Sequence, residues 1–507
     1  MAKIPVILTF DKRIILAGAV AIKSLIDNDK VSAKKLQAIE GQRYYEAKHD
    51  ILTYRLFYFN NDGKLVEDKY RANNRICHPF FTELSDQLSA HMLSFDNNPI
   101  RAKDSADGLK DHLEAYFGDE FWAEISELIT GTYNKGFEYV YGFKGAENRL
   151  VFKCADSLGV VEVRERDTDN GCKYVLYWYV DRTNEKGQQI KKIQVWSEND
   201  VTFYEQVAEG DIVLDEDEAI NPRPHVVYTD KDTGKKFKDS FGFIPFWRLD
   251  LNRKQISGLN PIKALIDDYD MMQCGLSNNL ADFDTPLHVV KGFPGDDLDK
   301  LQINLKTKKV VGVDAEGDIE VKTVDIPYQA RQAKAADDEK NIYRFGMGLN
   351  TAGLKDTTAT TNLAIKAAYA LLDMKADKLE IRLKKLLKDI IKVVLDEINK
   401  EHGTDYQMKD VEIKFERTTL ANDTENIANE KVKADTQQAQ TTTILNVAAS
   451  VGEEQTLKAI CEVMDWDFEE IQSQVKKMQE EADLQAAKNA LESVEPTEPI
   501  EEPTGTE

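Results

Sequence analysis

Residues 258–283 read GLNPIKALIDDYDMMQCGLSNNLADF, with the apolar positions Ile262, Leu265, Ile266, Tyr269, Met272, Leu276 and Leu280 recurring at intervals of three and four. That spacing predicts a helix of about 24 residues, roughly 36 Å long, with Pro261 near its start, where a missing N–H costs little. Pro286 and Pro327 then bracket a segment of different texture. Residues 285–326 read as a compact α/β insert: a strand LHVVKG, a short helix around DDLDKLQINL, and a hairpin in which KKVVGVD and IEVKTVD flank AEGD. A second helix over residues 328–345 leads away again, so the expected picture is a small head carried on two helical legs.

The legs open onto GMGLNTAGLKDTTATT (residues 346–361) and then onto about 40 residues without Gly or Pro, which predicts a helix near 60 Å. A Gly-rich loop ahead of a helix invites comparison with a phosphate-binding loop. Gly348 and Gly353 have the right separation, but Leu354 occupies the lysine position and Lys355 is followed by Asp356, whose carboxylate repels phosphate. The loop also follows a predicted helix rather than a strand. It reads instead as a flexible, hydroxyl-rich connection in which Asn350, Thr351, Lys355, Thr357, Thr358 and Asn362 could touch a phosphate backbone without reading its sequence. An ordinary surface connection is the plain alternative.

Toward the N-terminus the pattern is helical over residues 29–47, with an apolar segment IILAGAVAI at 14–22 that is half the length of a bilayer span and reads as a packed helix. An aromatic run, LTYRLFYF, ends at an Asn61-Asp62-Gly63 turn; HPFFTELSDQLSAHML and residues 121–133 follow as helices. Residues 139–246 alternate in short Val-, Ile-, Tyr- and Trp-rich runs such as YVLYWYV and IKKIQVW, a β-rich module of antiparallel hairpins. VEIKF at 411–415 is a strand. From residue 423 the chain is helical, acidic and Gln-rich, with breaks near Gly452 and Asp465, and after residue 493 it lacks the apolar content to fold.

At 507 residues the chain has room for about three domains. Its 42% hydrophobic and 31% charged residues, with a mean hydropathy of −0.49, argue for a globular protein and against a membrane one. A net charge of −24 excludes an ordinary DNA-binding protein, because such a surface gains nothing from phosphate neutralisation. The five scattered cysteines, never in CxxC spacing, fit reduced thiols rather than a disulfide frame or a zinc site. DEDE at 215–218 falls in a turn between strands and DDYD at 267–270 runs around a helix; no histidine or converging partner is visible in sequence for either, so both read as solvated acidic faces. His288 reads as an ordinary strand residue. No catalytic motif, metal site or cofactor is indicated. Lysines 300, 306, 308 and 309 (Lys300, Lys306, Lys308, Lys309) gather on the insert, where they suggest a docking surface for an acidic partner, and Arg382, Lys384, Lys385 and Lys388 decorate the long helix.

Three stretches carry a resemblance. QRYYEAKHDI (42–51), IPFWRLDLNRKQISGLNPIKALIDDYDMMQCGLSNNLADF (244–283) and TTNLAIKAAYALLDMKADKLE (361–380) resemble the portal proteins of tailed phages, of the type found in long-tailed phages of Gram-positive hosts. The likeness covers residues 35–490, with LDLN at 249–252 and Thr361-Asn362 departing from the pattern. It implies an α+β portal fold: wing over 1–252, stem helices over 253–284 and 327–345, clip over 285–326, tunnel loop over 346–361, long wing helix and strand over 362–420, crown helices over 421–493 and an acidic tail over 494–507. It also implies a dodecameric homo-oligomeric ring at one capsid vertex, assembled in the host cytoplasm and carried in the virion. Double-stranded DNA passes through such a ring non-specifically. Its implied partners are the large terminase subunit, a head-completion or connector protein, and the major capsid and scaffolding proteins; no membrane and no enzymatic activity are implied. The competing expectations are a packaging ATPase and a capsid scaffold without a channel.

Overall fold

The computed structural model describes residues 15–60, 62–69, 71–103, 106, 108–145, 149–164, 171–229, 236–283, 287–291, 316, 318–322, 327–350, 362–417, 423–464, 466, 468 and 471–478. The chain divides into two compact units, residues 1–358 with 366–419 and residues 359–365 with 420–507, rather than the three that its length suggests. The reason lies in the first unit, where one continuous apolar core gathers helices from the N-terminal third, the middle and residues 372–398.

Two helices open the first unit, α1 (Ile15–Lys30) and α2 (Ala33–Tyr45). The helical pattern read as unbroken over 29–47 is split at Ser32, whose Oγ accepts the Lys35 N–H and caps α2, a role serine takes more readily than a helix interior. The aromatic run also differs from expectation. Asp50–Thr53 forms a 3₁₀ turn, and only β1 (Phe57–Phe59) is extended, pairing with β2 (Leu65–Glu67) across a turn in which Gly63 has φ +73°. Next come α3 (Phe80–Met92), β3 (Ile100–Ala102), α4 (Leu109–Tyr116) and α5 (Asp119–Lys135). At eight residues α4 is too short for its periodicity to register in sequence.

The β-rich module has the antiparallel hairpins its sequence predicts. A three-stranded sheet is ordered β14 (Phe246–Asp250), β4 (Phe137–Lys144), β5 (Leu150–Ala155). A meander joins β6 (Val160–Val163), β7 (Tyr174–Thr183), β8 (Gln189–Trp196), β9 (Asp200–Val207) and β10 (Ile212–Leu214), with β11 (Arg223–Pro224) also on β9. β12 (Val226–Thr229) and β13 (Lys236–Asp239) form a separate ribbon. The strand aromatics are core: Tyr141 packs against Tyr177, Trp196 and Phe246 with ring centroids 5.6, 6.2 and 5.2 Å away.

Beyond the module run α6 (Lys263–Phe283), the antiparallel pair β15 (Leu287–Lys291) and β16 (Asp318–Lys322), α7 (Tyr328–Gly346), the 41-residue α8 (Asn362–His402), and β17 (Val411–Ile413), which pairs with β3. At the usual rise α8 spans about 60 Å. Its buried face, Leu372, Ala376, Leu379, Leu383, Leu386, Leu387, Ile390, Ile391, Val394, Leu395 and Ile398, keeps the three-and-four spacing that drives one stripe of a helix into a core. The strand LHVVK pairs with IEVK; the expected helix DDLDKLQINL and strand KKVVGVD lie outside the described residues, and only the backbone of His288 is placed, opposite Val321.

The second unit contains α9 (Asp423–Val451) and α10 (Glu453–Met464), packed on one another and separated at Gly452, φ +96°. Residues 479–507, the acidic tail among them, lie outside the described residues. No helix of the described residues is long and apolar enough to cross a membrane.

Candidate functional site

α6 and α7 pack along one another, and Lys334 of α7 donates to Asp268 of α6 at 2.6 Å. On another side of α6 lies an extended strap, residues 72–78. Its alternate N–H groups, from Ala72, Asn74, Ile76 and His78, donate to Asp282 (2.8 Å), Asn278 (2.6 Å), the Cys274 sulfur (3.1 Å) and Asp270 (2.9 Å). Two residues of extended chain advance about 6.6 Å and four residues of helix about 6 Å, so an i, i+4 ladder of acceptors matches every second strap amide.

The acidic run at 267–270 is therefore the solvated face that its sequence suggests only at Asp268, which is exposed. Asp270 is fully buried, with its carboxylate 2.6 Å from His49 Nδ1 and 2.7 Å from His78 Nδ1. Burial pushes the Asp270 carboxyl up, but hydrogen bonds from His49 and His78 outweigh it and hold the group below the usual carboxylate range. Tyr44 donates to Asp267, and Lys263 bridges Asp267 and Asp50 at 2.7 Å each. His49 and Asp270 are 221 positions apart, which is why no converging partner was visible locally. Two of the stretches that carry the resemblance, QRYYEAKHDI and IDDYD, are thus the two halves of one buried polar joint.

The third stretch meets α7 at its C-terminus. Met347 takes the left-handed conformation (φ +53°), and Gly348 N–H donates back to the Tyr343 carbonyl at 2.9 Å, a Schellman-type ending. Lys375 of α8, 8% exposed, donates to the Gly346 carbonyl at 3.0 Å with its Nζ 4.4 Å from the centre of the Tyr133 ring. A cation there complements the negative end of α7. Burial pushes the Lys375 ammonium down to about 7, and no ion pair offsets this among the described residues. Gln87 of α3 then grips Leu349 by both backbone groups, at 2.9 Å each.

This revises the expectation of a flexible loop from residue 346 onward. A Cβ on Gly346 or Gly348 would meet Leu84 methyl carbons at 2.6 and 2.0 Å, so these glycines serve close packing, not mobility or phosphate binding. α7 ends at Gly346, and residues 346–350 are a fixed root. Asn350 lies at the end of that root, half-buried. Thr351, Lys355, Thr357 and Thr358 lie outside the described residues, as do Lys300, Lys306, Lys308 and Lys309; Asn362 is the first residue of α8, and of its side chain nothing is described.

The other sequence candidates resolve as structure. Asp215 and Asp217, with Glu205, form an acidic group into which Lys192 Nζ is inserted at 2.8, 3.5 and 2.7 Å, supplying the positive charge a metal would bring. On α8, Lys384 pairs with Glu380 at 2.7 Å, while Lys385 and Lys388 are exposed. All five cysteines are free thiols.

A family model described as phage portal protein, SPP1 Gp6-like, matches residues 22–486. The chain is similar to the portal protein of Bacillus phage SPP1, 23% identical over 389 residues that cover 76% of this chain and 75% of that one. It is also similar to the portal protein of Clostridium phage phiCD119, 24% identical over 421 residues, 80% of this chain and 87% of that one. With an α+β fold, and with all three resembling stretches inside the matched span, the chain belongs to the SPP1 Gp6-like phage portal proteins, a structural family of the head–tail connector.

Proposed function

We propose that this chain is the repeating subunit of a dodecameric ring at one capsid vertex, the channel through which the genome is packaged and ejected. In that reading residues 1–252 form the wing, α6 and α7 the stem, residues 285–326 the clip, 346–361 the tunnel loop, α8 and β17 the rest of the wing, and 421–493 the crown. The observation that carries it is the fixed root at residues 346–350: a paired-helix rod is clamped where its connection to a 41-residue helix departs, in a chain of net charge −24.

The acidity has a physical use. Each phosphate that a channel neutralised would add counterion-release affinity, to be broken at every step of translocation. An acidic wall lets the duplex slide, while Asn350, Thr351, Lys355, Thr357, Thr358 and Asn362 touch its backbone without reading bases. The large terminase subunit docks on the ring during packaging, and a head-completion or connector protein follows it, with Lys300, Lys306, Lys308 and Lys309 facing the acidic partner. Major capsid and scaffolding proteins surround the ring.

Negative-stain images of the purified chain test this directly: rings with a stain-filled hole are expected, and solid or open assemblies overturn the channel. Lys355→Ala is expected to lower packaging efficiency in an infection or a reconstituted motor; unchanged packaging removes Lys355 from the channel contacts.

A further inference from the structure

The β1–β2 ribbon is covered by nothing among the described residues. Phe57, Tyr58 and Phe59 are 52%, 38% and 73% exposed, and Leu65 and Val66 are 60% and 38% exposed. The register pairs Phe59 with Leu65 on one face and Tyr58 with Val66 on the other, so both faces present apolar side chains. A two-stranded ribbon with no covered face is marginal in water, and its outer edges leave backbone groups unpaired. The ribbon is nevertheless firmly rooted. Asn60 closes its turn by accepting from the Asp62 and Lys64 N–H groups at 3.1 and 2.9 Å, and the strap of residues 72–78 fixes its base along α6. Rigid, exposed apolar surface of this kind marks an interface, since little ordering entropy is lost on binding.

Charge selects the occupant. Residues 52–78 carry five Lys or Arg against three Asp or Glu in a chain of net charge −24, so the remainder of the chain holds −26. Arg55 and Arg71 are engaged within the segment by Glu67 (3.5 Å) and Asp68 (2.6 Å), while Lys64 and Lys69 are exposed. We propose that the β1–β2 ribbon is an arm that docks on the acidic surface of a second copy of this chain. Two basic arms repel each other, so the contact joins arm to acidic body rather than arm to arm. Such a head-to-tail contact is heterologous, the kind that repeats around a ring instead of closing a dimer. This rests on the ring reading above and names the surface that builds it. Nucleic acid fits the ribbon less well, because a chain of net charge −24 repels phosphates and Lys64 and Lys69 are too few to offset it.

A photo-crosslinking benzophenone side chain placed at position 59 of the full-length chain tests the arm. Irradiation is expected to give a ladder of covalent multimers, with the crosslinked peptide mapping outside residues 52–78. A crosslink into residues 52–78 of the other copy, or none in assembled rings, overturns it, as does a crosslink only to added duplex DNA. A second measurement uses Phe57→Glu with Phe59→Glu, a pair on exposed positions expected to leave the circular dichroism and melting temperature unchanged. Mass photometry should show assembly weakened at least tenfold; rings as stable as the parent's overturn the arm. The parent chain separates the two ideas: if it forms a crosslinked ladder of open multimers but no rings, the arm stands and the ring falls, and if it neither crosslinks nor assembles, both fall.

Discussion

Among the described residues α8 and α9 are the two longest helices, at 41 and 29 residues, and they are stabilised in opposite ways. α8 drives eleven apolar side chains at helical spacing into the core of the first unit, and its one buried cation, Lys375, holds the carbonyl that ends α7. No described residue of α9 is buried; Val432, Leu445, Val447 and Val451 are 63%, 56%, 48% and 46% exposed. Helix length therefore says little about what holds a helix. A stripe that finds a core holds α8, whereas the described residues of α9 have local propensity and contacts with α10.

The largest expected break in that contrast is Leu387→Ala. Leu387 is fully buried, so the change should cost about 3 kcal/mol in urea unfolding followed by tryptophan fluorescence. Leu445→Ala in α9 should stay within about 0.5 kcal/mol. Equal losses at the two sites would refute the distinction.

Lys375 gives a pH test. The unfolded chain holds the lysine proton up to the ordinary 10.5, while the folded chain releases it near 7. Between those values the unfolded state binds more protons, so stability should rise with pH by at most about 1.4 kcal/mol per unit, and below pH 7 the slope from this group disappears. In Lys375→Met that rise should be missing; parallel pH profiles for the two proteins would show that the ammonium is not buried as described.

At the fixed root, Gly348→Ala should cost about 1–3 kcal/mol, because Leu84 is fully buried and has to move from the new methyl group. Amide exchange at residues 343–349 should accelerate in step. The smallest effect concerns helix ends. α7 ends on Met347 at φ +53° and α9 on Gly452 at φ +96°. Met347→Gly should therefore stabilise by about 0.5 kcal/mol and Gly452→Ala destabilise by about 1 kcal/mol in thermal melts.

Much of the fold was legible because its signals are periodic and local. The three-and-four spacing gave α6, the long run without Gly or Pro gave α8, the alternation of aromatic and β-branched residues gave the antiparallel module, and Gly452 marked a real helix break. Ser32 was misread because one side-chain cap interrupts a pattern that continues on either side of it. Gly346 and Gly348 were misread as flexibility because a glycine that lets a backbone approach Leu84 looks, in sequence, the same as one that lets it move. The Asp270–His49–His78 joint left no signal at all, since its members sit 192 and 221 positions apart.

By itself the sequence determined the order of elements, the acidic charge and the absence of a phosphate-loop lysine after Gly353, all properties of neighbours along the chain. Tertiary structure alone decided that Asp270 of DDYD is a buried clasp, that residues 346–350 are a root and that Lys375 caps α7. Those outcomes depend on which distant groups desolvate one another, and a carboxylate, an ammonium or a glycine changes its role completely when water is replaced by a partner.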